Sequence, residues 1–123
     1  MFESTISLSG APADLVQLRE WLTHELAAWP SREVSGEVVL MASELVTNAI
    51  VHAASAPTVT LSVLGHYFRV TVHDDDPRPP VLNAGNEPHD TGNGLRLVNG
   101  WADEWGSAST ASGKTVWFTV RRW

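Results

Sequence analysis

Glu44-Leu45-Val46-Thr47-Asn48-Ala49-Ile50-Val51-His52-Ala53 lies inside a longer helical pattern. Glu44, Asn48 and His52 recur every four residues, so an α-helix places all three on one stripe of its surface. Val34, Val38, Met41, Leu45 and the Ala49-Ile50 pair mark the adjoining buried face. The polar groups therefore line the margin of that face. An Asn side-chain oxygen is a hard donor suited to Mg²⁺, and a Glu one turn away can polarise a water or hydroxyl there. On spacing alone the stripe also reads as a solvated helix face, so its chemistry needs partners elsewhere in the chain.

Upstream, residues 3–9 alternate as a strand does, and Gly10 and Pro12 interrupt them. Leu15, Leu18, Trp21, Leu22, Leu26 and Trp29 then recur at three- and four-residue spacing and predict a helix over 13–29. Asp14 supplies charge suited to its N-terminus, and Pro30 ends it. Ser31 is expected to cap the second helix, which runs to about Ala53. Downstream, 58–63 and 67–73 read as a hairpin about Leu64-Gly65-His66. Residues 74–90, with Pro77, Pro79, Pro80, Pro88 and Gly85, read as a flexible lid, since so long a loop in a compact domain is more often functional than idle. Gly92-Asn93-Gly94 leads into a short helix over 95–101, and strands 104–110 and 114–122 flank Ala111-Ser112-Gly113. Mainly local links between the later strands favour antiparallel pairing. The expected fold is α+β: a two-layer sandwich, helices on one face of a mixed, mostly antiparallel sheet, as one domain over 1–123.

A chain of 123 residues, 43% hydrophobic and 18% charged, has the make-up of one ordinary globular domain. No run approaches the ~20 apolar residues of a membrane span, and Met1-Phe2-Glu3-Ser4 does not open a secretory signal, so a soluble, cytoplasmic protein with no membrane partner is expected. Absence of cysteine removes disulfides, thiolate catalysis and cysteine metal sites. A formal charge of −6 with one lysine, Lys114, argues against direct nucleic-acid binding and suits basic protein partners better. Six tryptophans are expected mostly in core or dimer contacts.

Val70-Thr71-Val72-His73-Asp74 ends a strand in a carboxylate, which can accept a hydrogen bond from an exocyclic amine such as that of adenine. Asp75 and Asp76, before Pro77, read as turn residues. Thr91-Gly92-Asn93-Gly94-Leu95 offers backbone N–H groups and a helix N-terminus to phosphate, although a lone Gly-x-Gly is also an ordinary helix-opening turn. It is neither a P-loop nor a dinucleotide fingerprint. No Gly-x-Ser-x-Gly elbow accompanies the five histidines, and a metal site of His52, His73 and Asp74 lacks any His-Glu-x-x-His pattern.

In order, Glu44 to Ala53, Val72-His73-Asp74, Thr91 to Leu95 and Gly113-Lys114-Thr115-Val116-Trp117-Phe118 resemble the ATP-binding fold shared by gyrase, heat-shock-90 chaperones, histidine kinases and mismatch-repair ATPases. The resemblance spans essentially the whole chain and looks most like the anti-sigma-factor serine kinases and their stand-alone relatives. It implies ATP and Mg²⁺ as cofactors, Asn48 as Mg²⁺ ligand, Glu44 as general base, and Asp74 at the adenine amine. It further implies Thr91, Gly92, Asn93, Gly94 and Leu95 around the triphosphate and Thr115 at adenine through water. The implied activity is phosphorylation of a serine on an anti-anti-sigma antagonist, the implied partners that antagonist and a sigma factor. The implied assembly is a homodimer through the first strand, where Ile6 and Leu8 are apolar. Asp75-Asp76-Pro77-Arg78 replaces the usual glycines after the aspartate, and the basic residue often beside the lid glycines is absent unless Arg78 or Arg96 substitutes. The alternative is an ATP-dependent capture module without phosphoryl transfer. A histidine-kinase fragment is disfavoured, since no helix bearing a phosphorylatable histidine precedes this part.

Overall fold

A computed structural model describes residues 2–51, 55–78 and 93–123, with only the backbone of 93–96. The described elements run β1 (Phe2–Ser7), α1 (Asp14–Ala27), α2 (Ser35–Val51), β2 (Thr58–Leu64), β3 (Tyr67–Asp74), α3 (Asn93–Trp101), β4 (Glu104–Thr110) and β5 (Gly113–Arg121). The strands form one sheet in the order β1-β2-β3-β5-β4, and every described pairing is antiparallel. The expected α+β sandwich is therefore what the chain forms, with its sheet antiparallel throughout. Gly65, at φ +58°, turns the tight β2–β3 hairpin, a backbone conformation glycine adopts without penalty.

Alternation along the strands separates the two faces of the sheet. Val59, Leu61 and Val63 of β2, Phe68, Val70 and Val72 of β3, and Val116, Phe118 and Val120 of β5 share one core. Leu18, Leu22 and Leu26 of α1, Val38, Met41 and Leu45 of α2, and Val98 of α3 close it from the helical side. On the other face the Arg69 guanidinium lies 4.3 Å from the Trp117 ring centroid. Gly106 makes room for that ring, since a Cβ there would stand 2.7 Å from it.

Three local expectations change. The second helix opens at Ser35, not Ser31, because residues 31–34 are drawn into tertiary contacts. The Arg32 N–H and Nε donate to the Arg122 and Arg121 carbonyls, and Val34 is fully buried. Leu8, expected at an apolar sheet edge, is a core residue whose N–H bonds Pro57 O at 2.9 Å. None of the six tryptophans is fully buried: Trp21, Trp29 and Trp105 flank the core, while Trp101 and Trp123 are exposed. Among the described residues no helix is long and apolar enough to cross a membrane.

Asp14 does more than decorate a helix terminus. Its buried carboxylate accepts hydrogen bonds from the Ser9 hydroxyl at 2.6 Å and from the N–H groups of Ser9, Gly10 and Ala11 at 3.2, 2.7 and 3.1 Å. Burial pushes the carboxyl up, but these four donors together outweigh it and hold it below its ordinary value of 3.8. Such a group stabilises the fold above that ordinary value, and the contribution fades as pH falls through the lower folded value. Asp14→Asn, which loses the charge and one acceptor oxygen, is expected to cost about 1–2 kcal/mol at neutral pH. The loss should shrink toward pH 3 in urea titrations; an equal loss at both pH values would refute the charge-based account.

Candidate functional site

Within α2, the Ser43 hydroxyl donates to Val39 O and the Thr47 hydroxyl to Ser43 O, each at 2.8 Å. These hydroxyls are satisfied inside the helix. Asn48, one position on, is partly exposed, yet its Oδ1 is shielded from water and has no hydrogen-bond partner among the described residues. A buried polar oxygen left unpaired costs roughly 1–3 kcal/mol, so its persistence points to something that binds there. Glu44 is one turn earlier on the same stripe and half-buried, and burial pushes its carboxyl above the ordinary 4.5. That is the direction a proton acceptor working near neutral pH requires. His52, third of the stripe, lies outside the described residues.

The end of β3 meets the start of β5 beside this helix. Asp74 is 3% exposed; the Lys114 ammonium donates to its Oδ1 at 3.1 Å and forms an ion pair with Oδ2 at 3.0 Å. Asp76 N–H donates to Oδ1 at 2.9 Å, and Lys114 also reaches Asp76 O at 3.3 Å. The buried Ser55 hydroxyl, just past α2, accepts the Asp75 N–H at 3.0 Å, and Ser55 N–H bonds Ala49 O at 3.2 Å. Ser55 thus fastens the C-terminal end of α2 to the strand end carrying Asp74. Gly113 lets the two strands close, since a Cβ there would fall 2.1 Å from Asp74 O.

Thr115 does not join this group. It pairs with His73 across β3–β5, and its hydroxyl lies 3.3 Å from His73 Nδ1 on the face away from the helices. Adjacent strand residues point to opposite faces, so the β5 residue on Asp74's side is Lys114. Lys114 was not among the expected site residues, although its phase with Val116, Phe118 and Val120 carries that information. Asp76 is the turn residue expected: its Oδ1 accepts the Arg78 N–H at 2.9 Å, and both its oxygens hold the Arg78 guanidinium. Those hydrogen bonds, with the Arg78 charge behind them, pull the Asp76 carboxyl down to about 2. Asn93, Gly94 and Leu95 fall in the first turn of α3, which packs on α2 and begins two residues before the expected start. Thr91, Gly92 and most of the 74–90 lid lie outside the described residues, and the side chains of Asn93, Leu95 and Arg96 are likewise not described.

The family profile of the histidine kinase-like ATPase domain matches residues 8–120, nearly the whole chain. The chain belongs to this family. Among solved structures it is similar to the RsbU and RsbW domains of Rv1364c from Mycobacterium tuberculosis, at 20% identity and a TM-score of 0.75, covering 98% of this chain and 32% of that one. It is also similar to the histidine kinase domain of a blue-light activated histidine kinase from Erythrobacter litoralis, at 24% identity and a TM-score of 0.54, covering 89% of this chain and 60% of that one. At these identities the likeness establishes the fold, and the chain spans less than two thirds of either protein's length. No curated protein matches it.

Membership of the histidine kinase-like ATPase family implies ATP, typically with Mg²⁺, and the residues present fit that pair. Among the described residues Asn48 Oδ1 is an unpartnered, shielded oxygen of the kind Mg²⁺ takes, and Asp74 is a fixed carboxylate whose Oδ2 has acceptor capacity left. Because burial raises the Glu44 carboxyl, its stabilising contribution belongs to pH below the ordinary 4.5 and is lost as pH rises through the folded value. At pH 7–8 the ionised side chain therefore opposes folding. Glu44→Gln is expected to raise the melting temperature of the nucleotide-free protein at neutral pH and to lose that advantage near pH 4. A lowered melting temperature at neutral pH would contradict this.

Proposed function

We propose that this chain is an ATP-dependent protein-serine kinase of the anti-sigma-factor type. The observation that carries the proposal is the shielded Asn48 Oδ1, unpartnered among the described residues, one helical turn from a half-buried Glu44. Asn48 would hold Mg²⁺, which when bound offsets negative charge on the phosphates. Asp74 would accept the adenine amine, and Thr91, Gly92, Asn93, Gly94 and Leu95 would bind the triphosphate. Glu44 accepts the proton of a serine hydroxyl on the antagonist as its Oγ bonds to the γ-phosphorus, and the bond to the β-phosphate oxygen breaks to release ADP. Loss of antagonist binding after phosphorylation would leave the kinase free to hold a sigma factor. Likeness to an RsbW domain supports this partner class, and a net charge of −6 suits protein rather than nucleic-acid partners. The edge position of β1, with Ile6 on it, supports a homodimer formed through that strand.

A second reading, ATP-dependent capture without transfer, is favoured by one observation. The two cations described near the lid, Arg78 and Lys114, are held by Asp76 and Asp74. Transition-state charge on the phosphoryl group then lacks the basic residue such sites often use. Incubation of the protein with Mg-ATP and its serine-bearing antagonist, followed by mass spectrometry, separates the two. Phosphoserine formed by the wild type and lost in Glu44→Gln, with nucleotide binding retained, is the expected result. Binding with no phosphoserine would replace the kinase by the capture module.

A further inference from the structure

The two residues on which the nucleotide reading depends stand on different elements, Asn48 on α2 and Asp74 at the end of β3. Their chain neighbours are joined through a single residue. Ser55, 6% exposed, donates its N–H to Ala49 O at 3.2 Å, and its hydroxyl accepts the Asp75 N–H at 3.0 Å. The first contact grips the position after Asn48 and the second the position after Asp74. Ser55 is itself braced from behind. A Cβ on Gly10 would stand 3.2 Å from Ser55 O, and the Leu8 N–H bonds Pro57 O at 2.9 Å. The turn between β1 and α1, fastened by the Asp14 carboxylate, therefore backs the segment that carries the hydroxyl. A side chain fixed in this way can transmit geometry from one element to another.

We propose that Ser55 is a positioning residue of the nucleotide site: its hydroxyl sets the separation between Asn48 and Asp74, so that one nucleotide reaches both. This rests on the ATP reading of the site. A ligand that spans two half-sites gains affinity beyond either half, because its second contact forms within a molecule already bound, and that gain depends on spacing. Each half keeps its own support without the Ser55 hydroxyl. Asn48 stays on α2, which Val38, Met41 and Leu45 hold to the core, and Asp74 keeps its contacts with Lys114 and the Asp76 N–H. Removing the hydroxyl thus loosens the distance between the halves and leaves each half intact. A hydroxyl that only closed the chain after α2 would contribute stability and treat every ligand alike.

The test is titration of wild type and Ser55→Ala with Mg-ATP, with adenosine and with Mg-tripolyphosphate, followed by nuclear magnetic resonance so that weak binding registers. Adenosine occupies the Asp74 half and tripolyphosphate the Asn48 half. Ser55→Ala lacks one oxygen and keeps the whole core, so it is expected to fold. Its affinity for Mg-ATP should fall roughly tenfold, the upper range for one hydrogen bond, while adenosine and tripolyphosphate stay within about twofold of wild type. A fall shared equally by all three ligands would mark a structural role and overturn the proposal. Unchanged Mg-ATP affinity in the folded variant would overturn it as well, while the ATP site stands. Failure of folded wild type to bind Mg-ATP overturns both.

Discussion

Asn48→Ala is expected to lower the affinity for Mg-ATP at least about a hundredfold while leaving the melting temperature of the nucleotide-free protein unchanged or raised. Loss of a second-sphere metal partner already costs roughly 10–100-fold, and a direct ligand costs no less. The stability half of the expectation follows from the same atom. Oδ1 is shielded and has no hydrogen-bond partner among the described residues, so its removal takes away an unsatisfied acceptor rather than a hydrogen bond. A residue kept for packing would show the opposite signature, a lower melting temperature with affinity nearly intact. The Mg²⁺ dependence sharpens the reading: the affinity gained on adding Mg²⁺ to ATP should largely vanish in the variant. Calorimetry with and without Mg²⁺, beside thermal melts, reads both halves.

Gly113→Ala is expected to cost about 3 kcal/mol, at the upper end for overpacking, because the added methyl meets backbone and not a movable side chain. Its Cβ would lie 2.1 Å from Asp74 O and 3.2 Å from Asp75 Cα, so β3 and β5 must part where they carry Asp74 and Lys114. For a domain of this size the melting temperature should fall by on the order of 10 °C, and ATP affinity should fall with it. Gly106→Ala is the control. Its Cβ meets the Trp117 ring edge on the far face, which can shift, so it should perturb stability less and nucleotide binding hardly at all. Equal losses of ATP affinity in the two variants would argue that the β3–β5 crossing does not position the site.

Much of this was legible in residue spacing. Leu18, Leu22 and Leu26 announce α1, and the alternation of Val116, Phe118 and Val120 announces β5, because burial of one face leaves the same period in sequence and in space. The Glu44–Asn48 stripe was legible for the same reason, a property of one helix. What spacing could not carry were contacts between distant segments. Ser31 has the chemistry of a helix cap, but Arg32 is tied to the C-terminal strand and the helix opens four residues later. Asp14 looks like a helix-terminal charge, while its four donors make it the fastening of the β1–α1 turn. Thr115 and Lys114 show how one residue of strand phase decides a role. The threonine has chemistry suited to a water-mediated base contact, yet register sends it to the far face and turns the lysine toward Asp74.

Titration of the purified chain with ATP, with and without Mg²⁺, reads whether α2 and the β3 end together hold a nucleotide. Saturable binding of one nucleotide per chain, tightened by Mg²⁺ and weakened by Asp74→Asn, is expected. No heat of binding with either form of ATP, from a folded protein, would contradict it.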